Sequence, residues 1–240
     1  MDNLENTNYT TQGSTRTLSN SFVANVFTWM FAALGLTALT AYLFGTSYEL
    51  ITMLIDPYKG GFIIFGWLVM LSPLAMVLIM SFGANKMKAS TMVLLYVLYS
   101  VLMGMSLSFI FLVYTDASIF KTFMIAAGMF GVMAILGYTT KTDLTKFGSI
   151  LLMALIGIII ASLVNMFMRS EGLDYIISII GVIIFTGLTA FDVQKIKQIG
   201  MTGLDNNETA TKIAIHAALT LYLDFINLFL YLLRFFGRRN

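Results

Sequence analysis

Two carboxylic acids and their spacing hold most of the chemistry this sequence could carry. Asp224 stands in the run ALTLYLDFINLFLYLLRFF, with apolar residues for more than a helical turn on either side. An ionisable group so placed is expensive and is a functional candidate by default. Its chemistry would be that of a proton-sensitive carboxyl whose charge alters helix packing or the contents of a pore; the plainer reading is an acid kept neutral, or paired with a neighbouring helix, for packing alone. Asp192, in GLTAFDVQKIKQ, lies three residues before Lys195. An interfacial aspartate with a basic neighbour one turn on is an equal reading there.

The polar residues around this pair invite simpler assignments. Asn227 follows Asp224 by three residues and could donate to it or to another helix; Arg234 shares Asn227's helical stripe and suits the far membrane interface. His216, the single histidine, reads as an interfacial residue near the inner end of the last helix. Ser162 and Asn165 read as interhelical hydrogen-bonding groups. A simple hairpin does not obviously bring the two aspartates together. Counted from Lys212, Asp224 is about 18 Å along its helix at 1.5 Å per residue, so that helix must begin outside the membrane, or tilt, for them to meet.

The elements that must position these groups follow from composition. Of 240 residues, 58% are hydrophobic and 11% charged, against roughly 25% charged in a soluble domain. Too few charges exist to coat a surface facing water, so lipid must be the solvent for most of the chain. Apolar stretches long enough to cross a bilayer fall at 22–45, 62–83, 91–114, 118–138, 148–168, 175–194 and 213–236. Closed barrels are the other spanning solution, but runs such as ALIGIIIASLV do not alternate. The fold class is therefore an all-α, seven-helix membrane bundle. It reads as a polar tail over 1–21, a membrane domain over 22–237 and a short basic tail over 238–240, with no cleaved leader before the first span.

Orientation comes from the loop lysines and arginines. With the N-terminus cytoplasmic, the inner side holds Arg16, Lys86, Lys88, Lys141, Lys146, Lys195, Lys197 and Lys212, and the outer loops hold Lys59, Lys121 and Arg169 among five acids. Seven full crossings put Arg238 and Arg239 outside, against the trend; a re-entrant last segment is the alternative, and full crossing is favoured because short tails translocate despite modest charge. Gly35, Gly104, Gly128, Gly131, Gly157, Gly181 and Gly187 lie inside spans and suggest close helix packing. Pro73 is expected to kink the second span.

The strings LTLYLDFINLFLYLLRFFG and FTGLTAFDVQKIK resemble the Bax inhibitor-1 family, and AAGMFGVMAILGYTTKTDLTKFGSILLMALIGIIIASLVN resembles its bacterial subgroup. The resemblance covers residues 20–237. It implies a bundle with the last helix central, and a pH-sensitive calcium leak gated by an aspartate on the sixth helix and one on the seventh. Asp192 and Asp224 occupy those positions. Two close carboxylates cannot both ionise cheaply, so such a pair takes up and releases its proton as a unit. Some relatives have an arginine at the inner end of the second helix to pair with the sixth-helix aspartate; FGANKMKAS offers Lys86 instead, without the bidentate fork.

The resulting expectation is a pH-sensitive calcium channel of a bacterial inner membrane, with Asp192 and Asp224 as the gating pair and Lys86, Asn227 and His216 as supporting residues. No enzymatic activity, cofactor or resident metal is expected, and calcium is cargo. The partners are the lipid bilayer and calcium ions, with membrane-protein partners in the alternative reading of a regulator of stress or membrane proteolysis. An intramembrane aspartyl protease would also need carboxyls on two helices, but its Gly-x-Gly-Asp and Pro-Ala-Leu signatures are absent. The lack of cysteine excludes disulfide and thiolate chemistry. The near balance of 14 basic and 12 acidic residues gives nucleic acid no footing.

Overall fold

The computed structural model describes residues 2–58, 61–84, 86–202 and 207–238, with the side chains of 2–18 left aside. The expected positions of Lys59 and Arg239, and of Asn85 beside Lys86, fall outside these residues, as do the side chain of Arg16 and most of the 1–21 tail's. Among the described residues the chain forms helices and no strand. They are α1 (Asp2–Thr46), α2 (Tyr48–Ile51), α3 (Ile64–Gly83), α4 (Ala89–Leu107), α5 (Ile110–Val113), α6 (Asp116–Thr139), α7 (Thr145–Met168), α8 (Glu171–Met201) and α9 (Asn207–Phe236). Among the described residues seven segments are long and apolar enough to cross a membrane, the third being α4 continued through α5. The protein is an integral membrane helical bundle.

Two helices run well past the apolar stretches that announce them. α8 has 31 residues and α9 has 30, about 45 Å each at 1.5 Å per residue, against a hydrocarbon core of about 30 Å. α9 is unbroken from Asn207 to Phe236, long and apolar enough for a full crossing, with no break of the kind a re-entrant segment would need. It is also the most enclosed span: 67% of its apolar window is buried, against 17% for α7.

The chain divides into two compact units. In the unit formed by 26–119, 205–219 and 238–240, α3 holds Pro73, which has no N–H to give Val69. The Ser72 hydroxyl donates to that same Val69 carbonyl at 2.8 Å, so the helix continues through the proline. Thr37 Oγ1 donates to Ser100 O at 2.8 Å, and Gly104 lets α1 approach so closely that a Cβ there would lie 2.6 Å from Thr37 O. Glu208 accepts from the Ala89 N–H at 3.2 Å, capping α4. The Arg238 carbonyl accepts from Thr115 N at 3.1 Å and its N–H donates to Ser118 Oγ at 3.0 Å, tying the tail to the connection before α6.

The unit formed by 1–25, 120–204 and 220–237 contains α6, α7, α8 and the second half of α9. Asn165 does not bridge helices. Its Oδ1 accepts from Ser170 N at 3.0 Å, closing the α7–α8 turn through Arg169, whose φ of 51° is left-handed. Ser170 in turn caps α8 by accepting from Leu173 N at 3.3 Å. Of the seven glycines expected at helix contacts, Gly104, Gly181 and Gly187 are tightly packed, whereas Gly35, Gly128, Gly131 and Gly157 face open space. Gly137, on the Ala190 backbone, and Gly148, on the Phe191 ring, take the close-packing role instead.

Candidate functional site

The site lies where α8 meets the second half of α9. The two helices run antiparallel, and three contacts set their register. At one end Arg234 Nη1 meets Asp174 Oδ1 at 3.1 Å. Farther in, the Tyr231 ring fills the notch at Gly181, where a Cβ would meet it at 2.6 Å. The same ring stacks on Phe185 with centroids 5.8 Å apart. Two further turns along both helices, the Asp192 and Asp224 carboxyls meet within hydrogen-bonding reach.

This register answers the geometric objection. α9 begins at Asn207, before Lys212, and α8 continues nine residues past Asp192 to Met201. Asp192 is thus an interior position of its helix, half-buried, rather than the end of a span. Asp224 is 4% exposed. Phe225 beside it is held by edge-on contacts with Phe123 and Phe130 of α6, at 5.3 and 5.6 Å, which leaves this turn of α9 little freedom.

Two acids face each other here. Asp224 Oδ2 has no conventional hydrogen-bond donor among the described residues; a second carboxyl faces it. Two carboxylates have no hydrogen to share and repel, whereas one proton between them makes a short, charge-assisted bond. Lys195 is the nearby cation that acts on Asp192, and it is exposed. Among the described residues no three Asp, Glu or His side chains converge as a metal cage would require.

Asn227 Nδ2 donates to Leu223 O of its own helix at 2.8 Å, so its amide serves the backbone and not Asp224. His216 is exposed on α9, and Lys86 is exposed in the turn between α3 and α4. Arg234 is paired with Asp174 and set over the Tyr231 ring at 5.8 Å.

One polar residue next to the site carries no sequence motif. Gln194, 7% exposed, accepts from Leu144 N through Oε1 at 2.8 Å and donates from Nε2 to Thr142 O at 2.8 Å. It clamps the α6–α7 connection to α8, two residues beyond Asp192. Lys197 adds a second tie, donating to Tyr138 O at 2.7 Å, with its ammonium 4.9 Å from the Tyr138 ring centroid. That ion closes the C-terminal end of α6, where a cation complements the helix dipole.

Comparison with known proteins decides the family. The family described as Inhibitor of apoptosis-promoting Bax1 matches residues 19–240. The chain belongs to the Bax inhibitor-1 family. Relatives within that family include the inner membrane protein YbhL of Escherichia coli K12, 47% identical over 222 residues, which is 92% of each chain. An uncharacterized protein of Borreliella burgdorferi is 48% identical over 223 residues, 93% of this chain and 94% of its own. The uncharacterized protein RP147 of Rickettsia prowazekii is 42% identical over 224 residues, 91% and 90% respectively. The Bax inhibitor-1 match takes in both aspartate-bearing helices and the clamped α6–α7 connection.

Proposed function

We propose that this protein is a pH-sensitive calcium leak channel of a bacterial inner membrane, with its N-terminus in the cytoplasm. The observation that supports this reading is the buried contact between Asp192 and Asp224, which lacks another donor for Asp224 Oδ2. A shared proton holds α8 to α9 there, and its loss sets two like charges against each other inside the bundle. That is a differential interaction between two packings of the same helices, the requirement for a proton to shift a conformational equilibrium. The pair does no covalent chemistry in this reading. Calcium is the cargo, passing among oxygen ligands rather than residing.

The membership in the Bax inhibitor-1 family and the name of the Escherichia coli relative support the membrane assignment. The excess of lysine on one set of connections supports the orientation. The test is calcium flux into proteoliposomes across pH 5 to 8, comparing wild type with Asp224→Asn. An asparagine amide donates to Asp192 at every pH, so flux should lose most of its pH dependence while the protein stays folded. A variant whose flux and pH response equal those of wild type removes the gating role.

A further inference from the structure

Away from the aspartates, a half-open cavity of about 340 Å³ lies between the end of α6, the start of α7 and the Gly187–Ala190 stretch of α8. Leu136 and Phe147 form apolar walls, Gly187 and Ala190 contribute the small residues, and Thr139 and Thr140 bring hydroxyls to its polar end. The volume is that of a small-ligand site. Leu136 and Phe147 are both exposed, so the apolar wall of the cavity reaches the protein surface. Its polar end lies where two spans finish, at the boundary with water.

Two lysines adjoin lining residues of the polar end in sequence, in a connection that is held in place. Lys141 follows Thr140 and Lys146 precedes Phe147, and both lysines are exposed. Neither makes a close ion pair among the described residues, where Arg234–Asp174 is the pair found, although the Lys146 charge acts on Asp143. The intervening acid, Asp143, turns its Oδ1 to Thr145, accepting from the Thr145 N–H at 2.9 Å and from the Thr145 hydroxyl at 2.6 Å, and its charge offsets part of that of the two lysines. Thr139 Oγ1 donates to Ile135 O at 2.7 Å, keeping lone pairs only. Thr140 Oγ1 accepts from Thr142 N at 3.2 Å, leaving its own proton for an incoming acceptor. The Gln194 clamp on Thr142 and Leu144, with Lys197 on Tyr138, fixes this connection before any ligand arrives.

An apolar slot with a hydroxyl at its polar end and two exposed lysines next in sequence to its lining is complementary to one class of molecule in a bilayer. We propose that this cavity binds an anionic phospholipid, its phosphate between Lys141, Lys146 and the Thr140 hydroxyl and the start of an acyl chain along Leu136 and Phe147. A zwitterionic lipid would bring its own ammonium against the two lysines. Basic pockets between helices at this depth select anionic headgroups, each lysine near a membrane surface contributing about a fivefold preference.

The experiment uses the whole protein with Trp29→Phe, Trp67→Phe and Phe147→Trp, which leaves one tryptophan at the cavity. It is placed in phosphatidylcholine vesicles containing brominated phosphatidylglycerol or, separately, brominated phosphatidylcholine. Quenching should report binding of phosphatidylglycerol at least about fivefold tighter, falling to parity in Lys141→Gln/Lys146→Gln. Equal quenching by the two lipids, or a preference that survives the double substitution, overturns the proposal. Native mass spectrometry of the otherwise unaltered protein gives a second reading that does not depend on the tryptophan: phosphatidylglycerol is retained over phosphatidylcholine, and the lysine pair abolishes this. Displacement by millimolar glycerol phosphate, a headgroup without a chain, would show that the cavity takes a free phosphate and overturn the assignment to lipid.

Discussion

Phe185 stacks on Tyr231 at a centroid separation of 5.8 Å, seven residues before Asp192 on α8 and seven after Asp224 on α9. Seven residues are two helical turns, which return to the same face, so the aromatic contact fixes where the carboxyls fall. Removing the ring should therefore disturb the acids at a distance. Tyr231→Ala is expected to cost about 2 kcal/mol in detergent unfolding, less than a fully buried aromatic because Tyr231 is only half-buried. Combined with Asp224→Asn, the two losses should fail to add by more than about 0.5 kcal/mol. Simple additivity would mean the stack does not set the register.

Gln194 offers a second measurable contribution. Gln194→Ala breaks two hydrogen bonds of 2.8 Å and frees the Leu144 N–H and Thr142 carbonyl. The expected loss is about 1–3 kcal/mol, read as a lower unfolding midpoint with faster hydrogen exchange at Leu144. Gln194→Glu keeps the acceptor for Leu144 but points a carboxylate oxygen at Thr142 O, so its deficit should grow as pH rises and shrink on acidification. A deficit independent of pH would contradict the assigned amide orientation.

The glycines divide into two experimental groups. Gly137→Ala would drive a methyl into the Ala190 backbone, and overpacking of this kind costs about 1–3 kcal/mol. Gly128→Ala meets nothing within 4 Å and replaces a poor helix former, so it should be neutral or stabilising by up to about 1 kcal/mol. Thermal midpoints of the two purified variants check the contrast, and equal effects would refute it.

Asp143 gives a pH dependence of definite sign. The Thr145 hydroxyl, and then the Thr145 N–H, hold its carboxyl below the ordinary carboxylate value. A group whose folded value is depressed contributes above its unfolded value and loses that contribution as pH falls through the folded one. Protection of the Thr145 amide should thus be level from neutral pH to about pH 4 and decline below it, whereas Asp143→Ala shows reduced protection throughout. A decline beginning near pH 6 would implicate another group.

Topology can be read with added thiols, because the chain has no cysteine of its own. Cysteines introduced at Ser118 and Arg238, whose atoms are joined at 3.0 Å, should react with an impermeant maleimide from one face of sealed vesicles. A cysteine at Thr142, one crossing away, should react from the other. Labelling of Arg238→Cys from the Thr142 face would contradict seven crossings.

What could be read from the sequence depended on whether the signal was local. The spans were legible because an apolar run of bilayer length has few other uses, and Asp224 because a carboxyl within such a run is rare. The reach of α8 was not: hydropathy ends near Gln194, while the helix continues through Lys195 and Lys197, residues that form helix well in water. The register therefore remained hidden, since it is set by Tyr231 entering the notch at Gly181. Gln194 gave no sign because its partners are 50 and 52 residues away. In spans apolar on every face, sequence could not say which glycines point at a neighbour, and Gly35 and Gly157 face open space while Gly137 does not.

The two acids belong to consecutive helices, joined by only a short connection, and this bears on how the protein is made. A lone Asp at the centre of an inserting helix costs about 2.5–3.5 kcal/mol. α9 leaves the ribosome directly after α8, and the carboxyl that faces its own is on that preceding helix. α8 and α9 can enter the bilayer as one hairpin, with Asp224 already sheltered against Asp192, so the most expensive residue in the chain need never meet lipid alone.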